Sequence, residues 1–209
     1  MKSTYLALCL LMLPIIIPAQ EIGKDAVVAA TKMNVLYRGL ANPIEISVPG
    51  VTSDKVTATI TNGTIKRVTY GWEVIPGEQT ESIITISVKT KKVSEKKFRV
   101  KNVPNPVAVF AGKYNGATSK DIAAKTEALE VKLIDFDWDL KFEILSFSFL
   151  ISKDGFDREI VSKGNRLTDE MKSLISDLKR GQYFTFKDIK AIGPDGKLRD
   201  LNPLILKLY

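Results

Sequence analysis

Asp135, Asp137 and Asp139 alternate with apolar residues in the stretch IDFDWDL, a spacing that invites a calcium site or a carboxylate pair for acid–base work. Geometry argues against both. In extended backbone, alternate residues share a face but stand ~6.6 Å apart along it, so three such carboxylates do not converge on one cation. An EF-hand loop started at Asp135 also needs glycine at its sixth position, where the chain has Leu140. The expectation is a solvated polar face opposite Phe136, Trp138 and Leu140. Gly193-Pro194-Asp195-Gly196-Lys197 has only a superficial likeness to a phosphate loop. Its glycine spacing is short, no Ser or Thr follows the lysine, and no helix follows to offer its N-terminus. It reads as a turn. Tyr37, Tyr70 and Trp72 are candidates for a sugar platform, although single aromatics in sandwich strands usually pack inside.

The strongest electrostatic feature is basic. Lys89, Lys91, Lys92, Lys96, Lys97, Arg99 and Lys101 fall within one short segment, and Lys91, Lys92, Lys96 and Lys97 are the candidate partner-binding residues. One reading is a docking surface for an acidic partner. The other is that lysines on edge strands and their connecting loop keep sheets from pairing edge to edge.

The residue inventory restricts function further. The sequence has no histidine, which excludes a Ser-His-Asp triad, a histidine zinc site and a histidine pH switch. Residues 1–19 read as a cleavable secretory signal: Lys2 precedes an apolar core from Tyr5 to Ile17, and Ala19 is a small residue at the cut. The run is shorter than the ~20 residues of a membrane span and contains Pro14. A lipoprotein reading fails because Leu8 stands before Cys9. Cleavage after Ala19 removes Cys9, the one cysteine, so the exported chain is expected to fold without disulfides. No catalytic residue, metal site or cofactor site is expected, and a lysine- or carboxylate-based hydrolase is disfavoured. The 209 residues carry a formal net charge of +7. In an exported protein that excess suits an acidic protein or an anionic surface, and not nucleic acid.

Strands must position these groups. Gln20 to Asn34 suits an edge strand or an arm across a sheet. Ile44, Ile46 and Val48 alternate as a strand between the turn signals Asn42-Pro43 and Pro49-Gly50. Val56 to Ile60 follows, then Asn62-Gly63 as a hairpin turn, then Ile65 to Val74 with Gly71 as a bulge. Pro76-Gly77 turns the chain into strands at Glu81 to Lys89 and Lys96 to Val100. Short strands at this spacing predict an immunoglobulin-like β-sandwich over residues 20–103, lacking the usual cysteine pair and with Trp72 as its core aromatic. The prolines of Asn102-Val103-Pro104-Asn105-Pro106 mark a boundary.

Residues 104–209 predict a smaller α+β domain with an antiparallel sheet and one clear helix. A short strand at Val107 to Gly112 precedes helix formers from Ser119 to Leu129. Thr168 caps the clear helix, with Asp169 and Glu170 in its first turn and an apolar stripe of Met171, Leu174, Ile175 and Leu178. Further strands are expected at Arg158 to Ser162, Tyr183 to Ile192 and Leu198 to Leu208, with a hairpin at Lys153-Asp154-Gly155. Between them Leu129 to Ser152 alternates apolar and polar residues but changes parity twice. Each slip moves the buried set to the opposite face, so a bulge, bend or break is expected near Leu133/Ile134 and Ile144/Leu145.

Two of these segments are distinctive. LYRGLANPIEISVPG (Leu36 to Gly50) and FDWDLKFEILSFSF (Phe136 to Phe149) resemble the C-terminal periplasmic region of GldM, called PorM in type IX secretion systems, a gliding-motility family of Bacteroidetes. The resemblance implies two consecutive β-rich periplasmic domains, a homodimer, and contact with secretion-machine components such as a GldN/PorN-like ring protein. Family members carry a membrane helix and a helical domain before these modules. Residues 1–19 stand in that place here, so the energy-transducing role is not carried over. The function expected is therefore non-catalytic and structural, a periplasmic adaptor, with a secreted ligand-binding or adhesion module as the alternative.

Overall fold

A computed structural model describes residues 31–153 and 155–209. The expected signal peptide, and the arm up to residue 30, lie outside the described residues. Residues Asn34–Tyr209 form one compact unit, mainly β, with two separate apolar clusters inside it.

The first cluster is enclosed by β1 (Val35–Tyr37), β2 (Asn42–Ile44), β3 (Val56–Ile60), β4 (Gly63–Val68), β5 (Gly71–Pro76), β6 (Glu81–Val88) and β7 (Lys91–Lys101). They make a four-stranded sheet of order β1-β7-β6-β3 and a three-stranded sheet of order β2-β5-β4. Leu36, Val74 and Ile84 are buried between the sheets, with Ile44, Ala58, Ile65, Ile86 and Phe98 packed on them from both sides. Alternation puts these residues on the inner face and their polar neighbours outside, as in a sandwich.

Local turn chemistry and actual pairing diverge at several places. Asn62-Gly63 does not close a hairpin: β3 pairs with β6, while β4 pairs with β5, so the chain crosses from one sheet to the other there. The Asn62 side chain braces the crossing, donating to the carbonyls of Gln79 and Glu81 and to Ser82 Oγ at 3.1–3.3 Å. Gly71 is no bulge. Thr69-Tyr70 turns β4 into β5, and Gly71 opens β5 at φ +112. Asn42-Pro43 belongs to a strand and not to a turn: Pro43 lies on β2, at the sheet edge where its missing N–H costs no ladder bond. Ile46 and Val48 leave the strand, although both stay half-buried.

The second cluster is organised by a six-strand sheet. After β8 (Val107–Val109) come β9 (Gly116–Thr118), α1 (Lys120–Lys125), β10 (Glu130–Lys132), β11 (Glu143–Lys153) and β12 (Phe156–Lys163). Then follow α2 (Asp169–Asp177), β13 (Tyr183–Ile192), β14 (Leu198–Leu201) and β15 (Leu204–Leu208). The main order is β12-β11-β13-β15-β9, with β14 beside β13, and β8 and β10 form a separate pair. Phe110, Phe147, Phe149, Phe184 and Phe186 fill the core with ring centroids 5.0–5.9 Å apart, in the tilted and edge-on arrangements aromatic quadrupoles favour.

Helix α2 lies against this core through Met171, Leu174 and Ile175, with Leu178 buried just beyond it. Thr168 Oγ1 accepts from the Met171 N–H at 3.2 Å, the cap expected of it. Helix α1 is far shorter than Ser119 to Leu129. It stops at Lys125, and Ser119 stands at the N-cap position without a side-chain cap bond. The last strand also splits, because Asn202-Pro203 interrupts it between β14 and β15.

The run Leu129 to Ser152 breaks where its parity first slips. β10 ends at Lys132, and residues 133–142 belong to no strand. At the second slip the β11–β13 register shifts between Ile144 and Ser146, leaving half-exposed Leu145 as the extra residue. Ile144 and Phe147, Phe149 and Ile151 therefore all face the core despite their opposite parity. A compensating shift follows between Ser146 and Ser148, at β13 residue Asp188 with φ +52. On the outer face of this sheet Lys187 reaches Glu159 at 2.9 Å and holds its carboxyl below the usual range.

Candidate functional site

Among the described residues, no group of three His, Cys, Asp or Glu side chains is placed to share a cation. Asp135, Asp137 and Asp139 are exposed and alternate with half-buried Phe136, Trp138 and Leu140, yet the backbone carrying them is irregular and not a strand. No described helix is long and apolar enough to cross a membrane.

The aromatic residues of this irregular segment form a seam with the sandwich. Tyr37, on β1, meets Phe136 edge-on at 4.8 Å between centroids and Trp138 at 5.7 Å. Gly39 continues the seam. A Cβ there would stand 2.7 Å from Asp195 Cβ, closer than real Cβ atoms approach, and the φ of +75 already favours glycine. The carboxyl of Asp195 takes two hydrogen bonds from Arg199, at 2.9 and 2.6 Å, with side chains only 2% and 7% exposed. The guanidinium also lies 5.2 Å from the Phe142 ring centroid. Arg199, aided by the Lys197 N–H, holds the Asp195 carboxyl below the usual aspartate range against the opposing effect of burial. The turn Gly193 to Lys197 is thus a turn, as expected, but its aspartate has a structural partner that sequence reasoning missed.

The neighbouring residues of β1 fix the seam on the sandwich side. Arg38 donates to Asn102 Oδ1 at 2.6 Å and to the Glu78 carbonyl at 2.8 Å, tying the β5–β6 loop to the start of the 102–106 segment. Val103 and Pro106 of that segment are buried. Asn42, buried, accepts from the Tyr37 N–H at 2.7 Å and donates to the carbonyls of Leu40 and Val74 at 2.8 and 3.2 Å.

The three proposed sugar-binding aromatics do not come together. Tyr37 belongs to the seam. Trp72 is buried on β5 with the Arg67 guanidinium 4.4 Å over its ring, outside the Leu36–Val74–Ile84 cluster. Tyr70 is 92% exposed at the hairpin tip. Tyr70, Trp72 and Arg67 do border one open hollow of about 600 Å³, shared with Glu45 and Asp54.

The candidate lysines all lie on β7 but not on one face. By parity Lys96 falls on the sandwich side with Phe98 and Val100, whereas Lys97 points outward and pairs with Glu81 at 2.7 Å. Lys92 pairs with Glu95, whose carboxyl its ammonium holds below the usual range. Between Lys92 and Ser94 the register against β6 shifts, which makes Val93 an extra residue.

Comparison with known proteins gives two family matches in tandem. The family model described as GldM third domain matches residues 25–101, and that described as GldM C-terminal domain matches residues 104–209. No curated protein matches the chain.

Proposed function

The chain belongs to the GldM family, through a third domain followed by a C-terminal domain, and we propose that it is a non-catalytic periplasmic adaptor of a gliding-motility or type IX secretion machine. The observation that carries this reading is the tandem match itself, which spans 25–209 in the family's own order. The seam supports it. Rings and a buried ion pair engaged between the two apolar clusters suit a part that presents surfaces in fixed geometry, and protein contacts are the chemistry such surfaces offer. In this reading residues 1–19 direct export. Residues 20–103 and 104–209 are the two domains, and the partners are proteins: a second copy in a homodimer, and a GldN/PorN-like ring component. The absence of histidine from the sequence agrees with a non-enzymatic role.

Crosslinking and co-purification of the full chain from its native periplasm test the proposal. Secretion or motility components are expected in the crosslinked material. Recovery of none of them would overturn the adaptor role, and a monomeric mass by light scattering at micromolar concentration would overturn the homodimer.

A further inference from the structure

We propose that the Lys91–Phe98 edge of β7 binds an acidic, extended segment of a partner protein by strand addition. This inference rests on the adaptor reading and names the chemistry of one partner contact. Among the described residues, Lys91–Phe98 pairs with β6 on one side, while β1 reaches only Arg99, Val100 and Lys101 on the other. Among the described residues the stretch before Arg99 therefore presents outward a row of backbone N–H and C=O groups, the template on which an added strand forms its ladder.

The side chains choose the strand. Between Lys89 and Lys101 seven cations accompany one carboxylate. Lys92 and Lys97 have carboxylate partners within the chain, whereas Lys91 and Lys96 have no ion pair among the described residues. The cations are distributed over both faces of β7, which gives a flat partner little to read. A strand laid along the edge, however, sends its own side chains alternately to the two faces, so acidic residues of either parity find a lysine opposite. The half-exposed Val93 bulge and the lysine row also keep β7 from pairing with another copy of itself. Both features of the edge thus follow from one device: a cationic strand that repels its own kind selects an acidic one.

The test uses the full chain with a fluorescent peptide of alternating glutamate and valine, and a twin N-methylated on every second amide. The acidic peptide is expected to bind, and at tenfold excess over its Kd to slow amide exchange within Lys91–Phe98 by about tenfold. The methylated twin is expected not to bind, because it lacks the ladder donors. Lys91→Glu with Lys96→Glu should abolish binding of the first peptide, and the peptide pair keeps the test independent of how that variant folds. Equal binding of the twin would show attraction by charge alone and overturn the proposal. Protection of the same amides in the peptide-free chain would show the edge already occupied, and would overturn it too. Failure here while secretion components still co-purify removes the edge and leaves the adaptor role standing; the converse removes the adaptor role alone.

Discussion

Replacing Gly39 by alanine probes the seam between the two clusters, and Gly50 provides the control for backbone strain. Both glycines are left-handed, at φ +75 and +71. An alanine in that region costs about 1–2 kcal/mol whatever surrounds it. At Gly50 nothing lies within 4 Å of the added Cβ, so strain is the whole effect expected. At Gly39 the new methyl would sit 2.7 Å from Asp195 Cβ and 3.4 Å from Asp195 Cα. The obstructing atoms are the root of a buried side chain fixed to Arg199, so they yield only by moving the turn, which is overpacking at about 1–3 kcal/mol more. Gly39→Ala should therefore lose about 2–5 kcal/mol and Gly50→Ala about 1–2 kcal/mol in urea unfolding. Fluorescence of Trp138, which packs on Tyr37, should change only in the Gly39 variant. Equal losses in the two variants, with Trp138 undisturbed in both, would refute the close approach of Gly39 to Asp195.

Asp195→Asn should cost about 2–3 kcal/mol at neutral pH, since it weakens two hydrogen bonds to a buried guanidinium. The folded carboxyl titrates below its ordinary value of 3.8, so wild type gains stability from it above that value and loses the gain as pH falls through the lower folded value. Urea unfolding of both proteins from pH 7 to pH 2 should show their difference constant down to about pH 5 and then shrinking; a difference that grows on acidification would contradict the assignment. Thr168→Ala removes the acceptor for the Met171 N–H and should cost about 0.5–2 kcal/mol, with Thr168→Ser restoring most of it.

The sequence disclosed its periodic features well and its long-range partners poorly. The double parity slip of Leu129 to Ser152 announced a break and a bulge because burial on one face leaves no other way to keep apolar side chains inside. The same signal is present in β13: Phe184 and Phe186 have one parity, Ile189 and Ala191 the other, and the bulge at Asp188 lies between them. Arg199 was legible in a different way. It shares the parity of buried Leu201 while Leu198 points outward, so an arginine on the inner register called for a carboxylate. Asn62-Gly63 misled because turn propensity states only that the chain bends; which strand it joins next is set by how two sheets divide the apolar residues. Tyr37 against Phe136 had no local signal at all, since nothing in either segment names the other.

The two segments that carry the resemblance meet at the seam. Within Leu36 to Gly50, Tyr37 packs on the seam, Arg38 ties down the loop before β6, Gly39 leaves room for Asp195, and Asn42 satisfies backbone groups under β1. Within Phe136 to Phe149, Phe136 and Trp138 meet Tyr37, Phe142 lies against Arg199, and Ile144 to Phe149 carry the bulge. Each residue answers to several neighbours at once, and few substitutions satisfy them all. Both segments thus contribute side chains to the seam. β1 links the seam to the proposed docking edge: it carries Tyr37 at one end and pairs with β7 immediately beyond Phe98. A strand added along Lys91–Phe98 would lie in line with β1 and be held in a fixed relation to the second cluster, which is the arrangement an adaptor requires.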